Sequence, residues 1–182
     1  MRRQRIALLL ALALFALVPV AARAQVSQLR GTWTLNRSAS DDLNAKINTA
    51  VAPLNVVVRQ IARPRLRSTN TAYPQLVISQ DGGNLRVDMQ GRPSVTTPVG
   101  GSPVLWHRER GGTCPQMRGD CLQVTAVWRD GGLHQTFRAE DGQRVNVYTL
   151  SDNGNTMTMS VTVTSPRLPQ PFTYRLVYTR AS

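Results

Sequence analysis

This chain has little of what catalytic and metal-binding sites are usually built from. It contains two cysteines and two histidines among 182 residues. Two Cys without convergent His do not make a zinc site. No glycine-rich phosphate loop, metal triad or nucleophile elbow is present. Aromatic residues are 5% of the chain. An outer-membrane barrel wants aromatic girdles and an apolar outer band, and the polar faces of these strands carry Thr and Arg instead. After the first 24 residues no stretch is long and apolar enough to span a bilayer as a helix. Lysine occurs once, at Lys46, so the basic charge is almost entirely arginine.

What the chain does have begins with a leader. Arg2, Arg3 and Arg5 precede an apolar run from Ile6 to Val18, too short for a stable membrane anchor. Ala22-Arg23-Ala24 is a small-x-small cleavage site, so residues 1–24 are expected to be a secretory signal peptide. Cleavage between Ala24 and Gln25 would leave one domain over 25–182, exported to a bacterial periplasm or beyond. Four of the 22 basic residues lie in the leader; the remaining 18 face 10 acids, a net +8. Such a balance speaks to solubility and non-specific partners rather than to fold. After export the polyanions within reach are envelope polymers and lipid head groups, not nucleic acid.

The second half of the mature chain alternates. Leu122, Val124, Ala126 and Trp128 point one way, Gln123, Thr125 and Arg129 the other. Met157, Met159, Val161 and Val163 oppose a run of Thr and Ser, and Phe172, Tyr174, Leu176 and Tyr178 oppose Thr173, Arg175 and Thr179. A period of two places one face in a core and one in water. Asp130-Gly131-Gly132, Asp141-Gly142 and Asp152-Asn153-Gly154-Asn155 punctuate these runs with residues suited to tight hairpins.

The first half adds a strand at Leu29–Leu35, a hairpin around Asp81-Gly82-Gly83, and shorter strands at Ser94–Thr97 and Val104–Glu109. Between them Leu43, Ile47, Val51, Leu54, Val58 and Ile61 recur at helical steps. A helical insertion is expected over about 40–62, with Ser40 as N-cap, Pro53 dividing it in two and Pro64 ending it. Val56-Val57-Val58 as a strand is the rival reading of part of this segment. The resulting class is mainly β: one antiparallel up-and-down barrel, or strongly curved sheet, of about 9–10 strands with one or two short helices after the first.

Cys114 and Cys121 bracket six residues between two strands. In an exported chain they are expected to be disulfide-bonded. Arg59, Arg63, Arg65 and Arg67 form a candidate anion patch, weighed against a solvated helix end. His107 and Glu109 share parity and are a candidate acid/base pair, with no nucleophile to place beside them.

Gly31-Thr32-Trp33-Thr34-Leu35, with Asn36 and Ser38 following, resembles the first-strand signature of the calycin superfamily, the lipocalins and fatty-acid-binding proteins. The resemblance implies that Trp33 packs at the closed end of a barrel against an arginine from the last strand. Arg180 has the parity to be that arginine. It also implies that two helices after the first strand form a lid. The lipocalin Thr-Asp-Tyr loop and the Arg-x-Tyr carboxylate clamp of the fatty-acid-binding branch are missing. The expected function is a non-enzymatic, lipocalin-like protein that binds a small apolar ligand and needs no cofactor. The alternative is a filled barrel that meets an anionic envelope component through its basic surface.

Overall fold

The computed structural model describes residues 26–181, so the leader and the Ala24–Gln25 cleavage site lie outside it. The first strand, β1 (Gly31–Asn36), is followed by helices α1 (Leu43–Val51) and α2 (Val56–Thr69). Nine more strands complete the chain: β2 (Gln75–Asp81), β3 (Asn84–Met89), β4 (Arg92–Pro98), β5 (Val104–His107), β6 (Cys121–Arg129), β7 (Gly132–Ala139), β8 (Gly142–Leu150), β9 (Thr156–Thr164) and β10 (Phe172–Arg180).

All ten strands form a single antiparallel sheet in the order β4-β3-β2-β1-β10-β9-β8-β7-β6-β5. Each strand pairs with its chain neighbour, except that β4 and β5 do not. The first and last strands pair instead, with Trp33 opposite Arg180 and Leu35 opposite Tyr178. That pairing rolls the sheet into a nearly closed barrel whose seam runs between β4 and β5. The seam is stitched rather than open. Trp106 Nε1 donates to the Ser94 carbonyl at 2.9 Å, and the Gly100 amide donates to the Ala126 carbonyl at 3.0 Å.

Alternation explains the interior. Trp33, Leu76, Leu85, Val124, Met157 and Leu176 are each almost fully buried and come from six different strands. Burying one such side chain contributes about 1.5–3 kcal/mol, so the stacked inward rows dominate the fold's stability. Cys114 and Cys121 are disulfide-bonded with Cα atoms 6.0 Å apart. The bridge fastens the loop leading into β6.

The helical segment departs from its expected limits. The N-cap of α1 is Asp42, whose carboxylate accepts from the Asn44 and Ala45 amides at 2.9 and 3.1 Å. Ser40 instead ties the approach to α1 onto the barrel, accepting from the Val177 amide at 2.9 Å. Pro53 lies in the break between the helices. Pro64 does not end α2, which continues to Thr69. The missing proline N–H frees only the Gln60 carbonyl, and Gln60 is exposed to water. The last turn is held by Leu66, which is buried, and by Asn70, whose amide N–H and side-chain NH₂ both donate to the Leu66 carbonyl. Val56–Val58 are helical, not a strand. Strand β5 stops at His107, short of Glu109.

Candidate functional site

The closed end of the barrel is built around Trp33. Its indole Nε1 donates to the Leu29 carbonyl at 2.8 Å. The Arg180 guanidinium carbon sits 4.3 Å from the centre of a Trp33 ring, a cation–π distance. The same guanidinium donates to the carbonyls of Arg30, Gln28 and Gly154 at 2.6, 2.9 and 3.1 Å. Gly31 makes this approach possible: a Cβ there would lie 2.7 Å from Arg180 Nη1, and its φ of +135° suits glycine. Trp33 and Arg180 thus meet, and Arg180 has its donors committed to backbone.

The other end is different, and β8 makes it so. Hydrophobicity alone would turn Val145 and Val147 inward. The structure turns them outward and buries Asn146 and Tyr148. Register decides this: Tyr148 lies opposite Leu133 of β7 and Met159 of β9, both core residues, and cross-strand partners share a face. The inward row of β8 is therefore Arg144, Asn146, Tyr148 and Leu150.

These side chains form a bonded column. Arg144 Nε donates to Asn146 Oδ1 at 2.8 Å, and Arg144 Nη1 to the Thr69 carbonyl at the end of α2, at 3.1 Å. Asn146 Nδ2 donates to the Tyr148 hydroxyl at 3.2 Å, which donates to Gln135 Oε1 at 3.0 Å. Beside the column, the Tyr174 hydroxyl donates to Asn70 Oδ1 at 3.2 Å. Burial pushes the Tyr148 phenol up to about 12, partly offset by its Asn146 bond. Burial also raises Tyr174, with Arg144 nearby pulling the other way. Among the described residues no ion pair involves Arg144. It is a half-buried charge without a carboxylate.

A cleft of about 480 Å³ lies between the start of α1, the end of α2 and the barrel wall; it shares Asn70 with this region, but Arg144, Asn146 and Tyr148 do not line it. Leu35, Ile47, Asn70 and Leu176 line it, and its charged groups balance, Arg37 and Arg67 against Asp41 and Asp42. Its volume falls within the usual range of small-molecule sites.

The remaining candidate residues separate. Arg59 turns back to donate to the Ala52 and Leu54 carbonyls, covering the end of α1. Arg65 pairs with Asp141 at 3.1 Å, Arg67 lines the mouth cleft, and the Arg63 Nε is buried without a bond. The four do not form one anion patch. The first turns of α2 expose apolar side chains, Val56, Val57 and Ile61, whereas its last turns expose Arg65, Arg67 and Ser68. His107 and Glu109 are not an acid/base pair. The Glu109 carboxylate is held by Arg92, at 2.6 Å, and by Arg108. His107 Nδ1 accepts from the Arg110 amide at 3.1 Å and caps the turn. Among the described residues no group of three or more His, Cys, Asp or Glu is placed to hold a metal, and no helix is long and apolar enough to cross a membrane.

No family model and no curated protein sequence matches this chain. Solved structures do match in three dimensions. A Schistosoma mansoni fatty acid binding protein in complex with arachidonic acid superposes with a TM-score of 0.52 at 20% identity, over 87% of this chain and 99% of that one. A fatty acid transporter, REP1-NXSQ, gives 0.51 at 16% identity, over 86% and 98%. A secretory abundant heat soluble protein from Ramazzottius varieornatus gives 0.53 at 9% identity, over 85% and 96%. At these identities what is shared is the fold alone, which in this chain is a ten-strand, nearly closed antiparallel barrel with two helices after its first strand.

Proposed function

We propose that this chain is an exported, non-enzymatic binding protein that takes a small apolar ligand with an anionic end. The observation that carries the reading is Arg144. It sits on an inward row at the end of the barrel that α2 covers, and no acid among the described residues pairs with it. A half-buried guanidinium of this kind is stabilised by a carboxylate or similar head group, and the forked donor geometry of arginine suits one. The apolar rows of β9 and β10 would receive the rest of the ligand. Two of the superposable structures are described as fatty acid proteins, which agrees with this chemistry. Export is supported by the leader pattern and by the Cys114–Cys121 bridge, a bond typical of oxidising compartments.

The test uses the mature, disulfide-bonded chain stripped of lipid and titrated with Nile red. Blue-shifted emission that saturates at one dye per chain and is reversed by octadecanoic acid is expected. Emission unchanged from buffer at micromolar protein would overturn the reading. The mass of the exported form tests the address separately: a chain beginning at Gln25 is expected, and a secreted form retaining the leader would contradict it.

A further inference from the structure

The carboxyl end of α2 is bound to the barrel on one side only. There Arg65 pairs with Asp141 of the β7–β8 turn at 3.1 Å. Arg144 Nη1 donates to the Thr69 carbonyl and Arg92 Nη2 to the Ser68 carbonyl, both at 3.1 Å. Arg92 is itself held by Glu109 at 2.6 Å. The last carbonyls of a helix lack partners within it and carry partial negative charge, so arginines suit them. Three charged contacts thus close the side of the lid that faces β4 and β8. The other side carries the cleft between α1 and the link from α2 to β2. Among the described residues no hydrogen bond or ion pair joins residues 37–47 to residues 66–72 across it.

The floor of this cleft belongs to the barrel interior. Leu35 and Leu176 stand on the inward rows of β1 and β10, and Ile47 and Asn70 are buried beside them. Asn70 Oδ1 accepts from the hydroxyl of Tyr174, the inward residue next to Leu176 on β10. Asn70 also follows Thr69, whose carbonyl holds Arg144, so the cleft and Arg144 lie close to the same short link. The rim charges balance in number but not in availability. Asp42 accepts from the Asn44 and Ala45 amides, and Asp41 accepts from the Arg175 amide and pairs with Lys46. Arg37 and Arg67 are exposed and make no hydrogen bond or ion pair among the described residues. A second cleft of about 480 Å³, under the β9–β10 loop, differs: none of its lining residues is buried.

Resting on the reading of Arg144 given above, we infer that the cleft between α1 and the α2–β2 link is the doorway through which the acidic amphiphile enters and leaves the barrel. Arg37 and Arg67 raise the local concentration of the anion at the rim. Leu35, Ile47 and Leu176 give its apolar chain a path inward. The Asn70–Tyr174 bond is the latch. Moving the link at residues 70–72 breaks this one neutral bond, whereas lifting the opposite side breaks three charged contacts, each roughly twice as strong. The doorway therefore opens on the side away from the arginines.

The experiment follows parinaric acid, a fluorescent polyene carboxylic acid, by stopped flow with the full mature chain. Among the described residues no cysteine is free, so Thr71→Cys supplies a single thiol on the cleft that a bulky maleimide can plug. Gln170→Cys places the same plug on the second cleft. The plug at 71 is expected to slow association and dissociation alike, each by about tenfold or more, with unchanged affinity, as a blocked gate does. The plug at 170 should change neither rate. Unchanged rates at 71, equal slowing at 171's neighbour Gln170 and at 71, or weaker affinity without slower association would each overturn the doorway. A second variant needs no label: Arg37→Gln with Arg67→Gln alters only exposed side chains. It should slow association several-fold at low salt and flatten its salt dependence. Association equal to the wild type's would overturn the doorway too. All of these results leave the acid-binding reading intact. A wild type that takes up no parinaric acid would remove both.

Discussion

Two arginines point into this barrel, one at each end, and their surroundings assign them opposite roles. Arg180 lies over Trp33 and spends its donors on three backbone carbonyls. Nothing is left for a ligand, and the closed end is a rivet between the first and last strands. Arg144 is bonded to one side-chain amide and one carbonyl at the end of the lid helix, and no carboxylate among the described residues neutralises it. The same side chain is structural where the backbone saturates it and available where the backbone does not. What a charged group does inside a fold follows from how many of its bonds are already made.

The contrast is broken most directly by mutation. Trp33→Ala should destabilise the protein by about 3–5 kcal/mol in urea unfolding, the usual cost of removing a buried Trp. Arg180→Met should cost about 3 kcal/mol, from the lost cation–π contact and charge-assisted bonds. Arg144→Met should change stability by no more than about 1 kcal/mol, because removing an unpaired, half-buried charge relieves about as much desolvation as it loses in bonding. Equal losses at 144 and 180 would erase the distinction between the two ends.

Alkali asks how dry the column is. Tyr148 in the folded chain is pushed up to about 12, whereas an unfolded phenol ionises near 10. Its neutral burial therefore contributes stability that is fully present below about pH 10. That contribution is lost as pH rises toward 12, by about 2–3 kcal/mol for this residue alone. Tyr174 and Tyr178 shift in the same direction, again through burial. Unfolding midpoints measured between pH 9 and 12 should fall, with tyrosinate absorbance appearing together with unfolding. Tyrosinate that appears near pH 10 in a still-folded protein would mean that water reaches the column.

Gly31→Ala sharpens the closed end. The new methyl would press on Arg180 Nη1 in a backbone conformation that suits glycine, and a loss of about 1–2 kcal/mol is expected. The smallest effect is expected on the lid. Val57→Ser and Ile61→Ser alter exposed side chains and should each shift stability by less than about 0.5 kcal/mol. A larger loss would mean that this face is covered in solution.

The sequence disclosed the two ends unevenly. Arg180 was readable because β10 alternates with one exception, Val177: Tyr174, Leu176, Tyr178 and Arg180 share parity, and the strand opposite begins Gly-x-Trp. Strand β9 was as plain, with Met157 to Val163 inward and Ser and Thr outward. Strand β8 was not, because its apolar valines face out and its inward row is Arg144, Asn146 and Tyr148. Alternation measures hydrophobicity, and a strand that turns polar groups inward inverts that signal. Only the pairing of Tyr148 with Leu133 and Met159 reveals the face, and pairing is not written in β8 itself. The arginines from 59 to 67 were legible as charge but not as geometry, since Arg59 folds back onto the end of α1 and Arg65 finds Asp141 from a distant turn. Pro64 misled for a local reason: a proline in an exposed helix forfeits one bond, and the docking of Leu66 and Asn70 outweighs it.

Calorimetric titration of octadecanoic acid into the mature wild type and into Arg144→Met tests the central claim most directly. One ligand per chain is expected in the wild type, with affinity about 10–100-fold weaker in the variant, the loss of a charge-assisted contact. A wild type that takes up no acid, or a variant that binds it equally well, would contradict the assignment of Arg144 as the ligand's anchor.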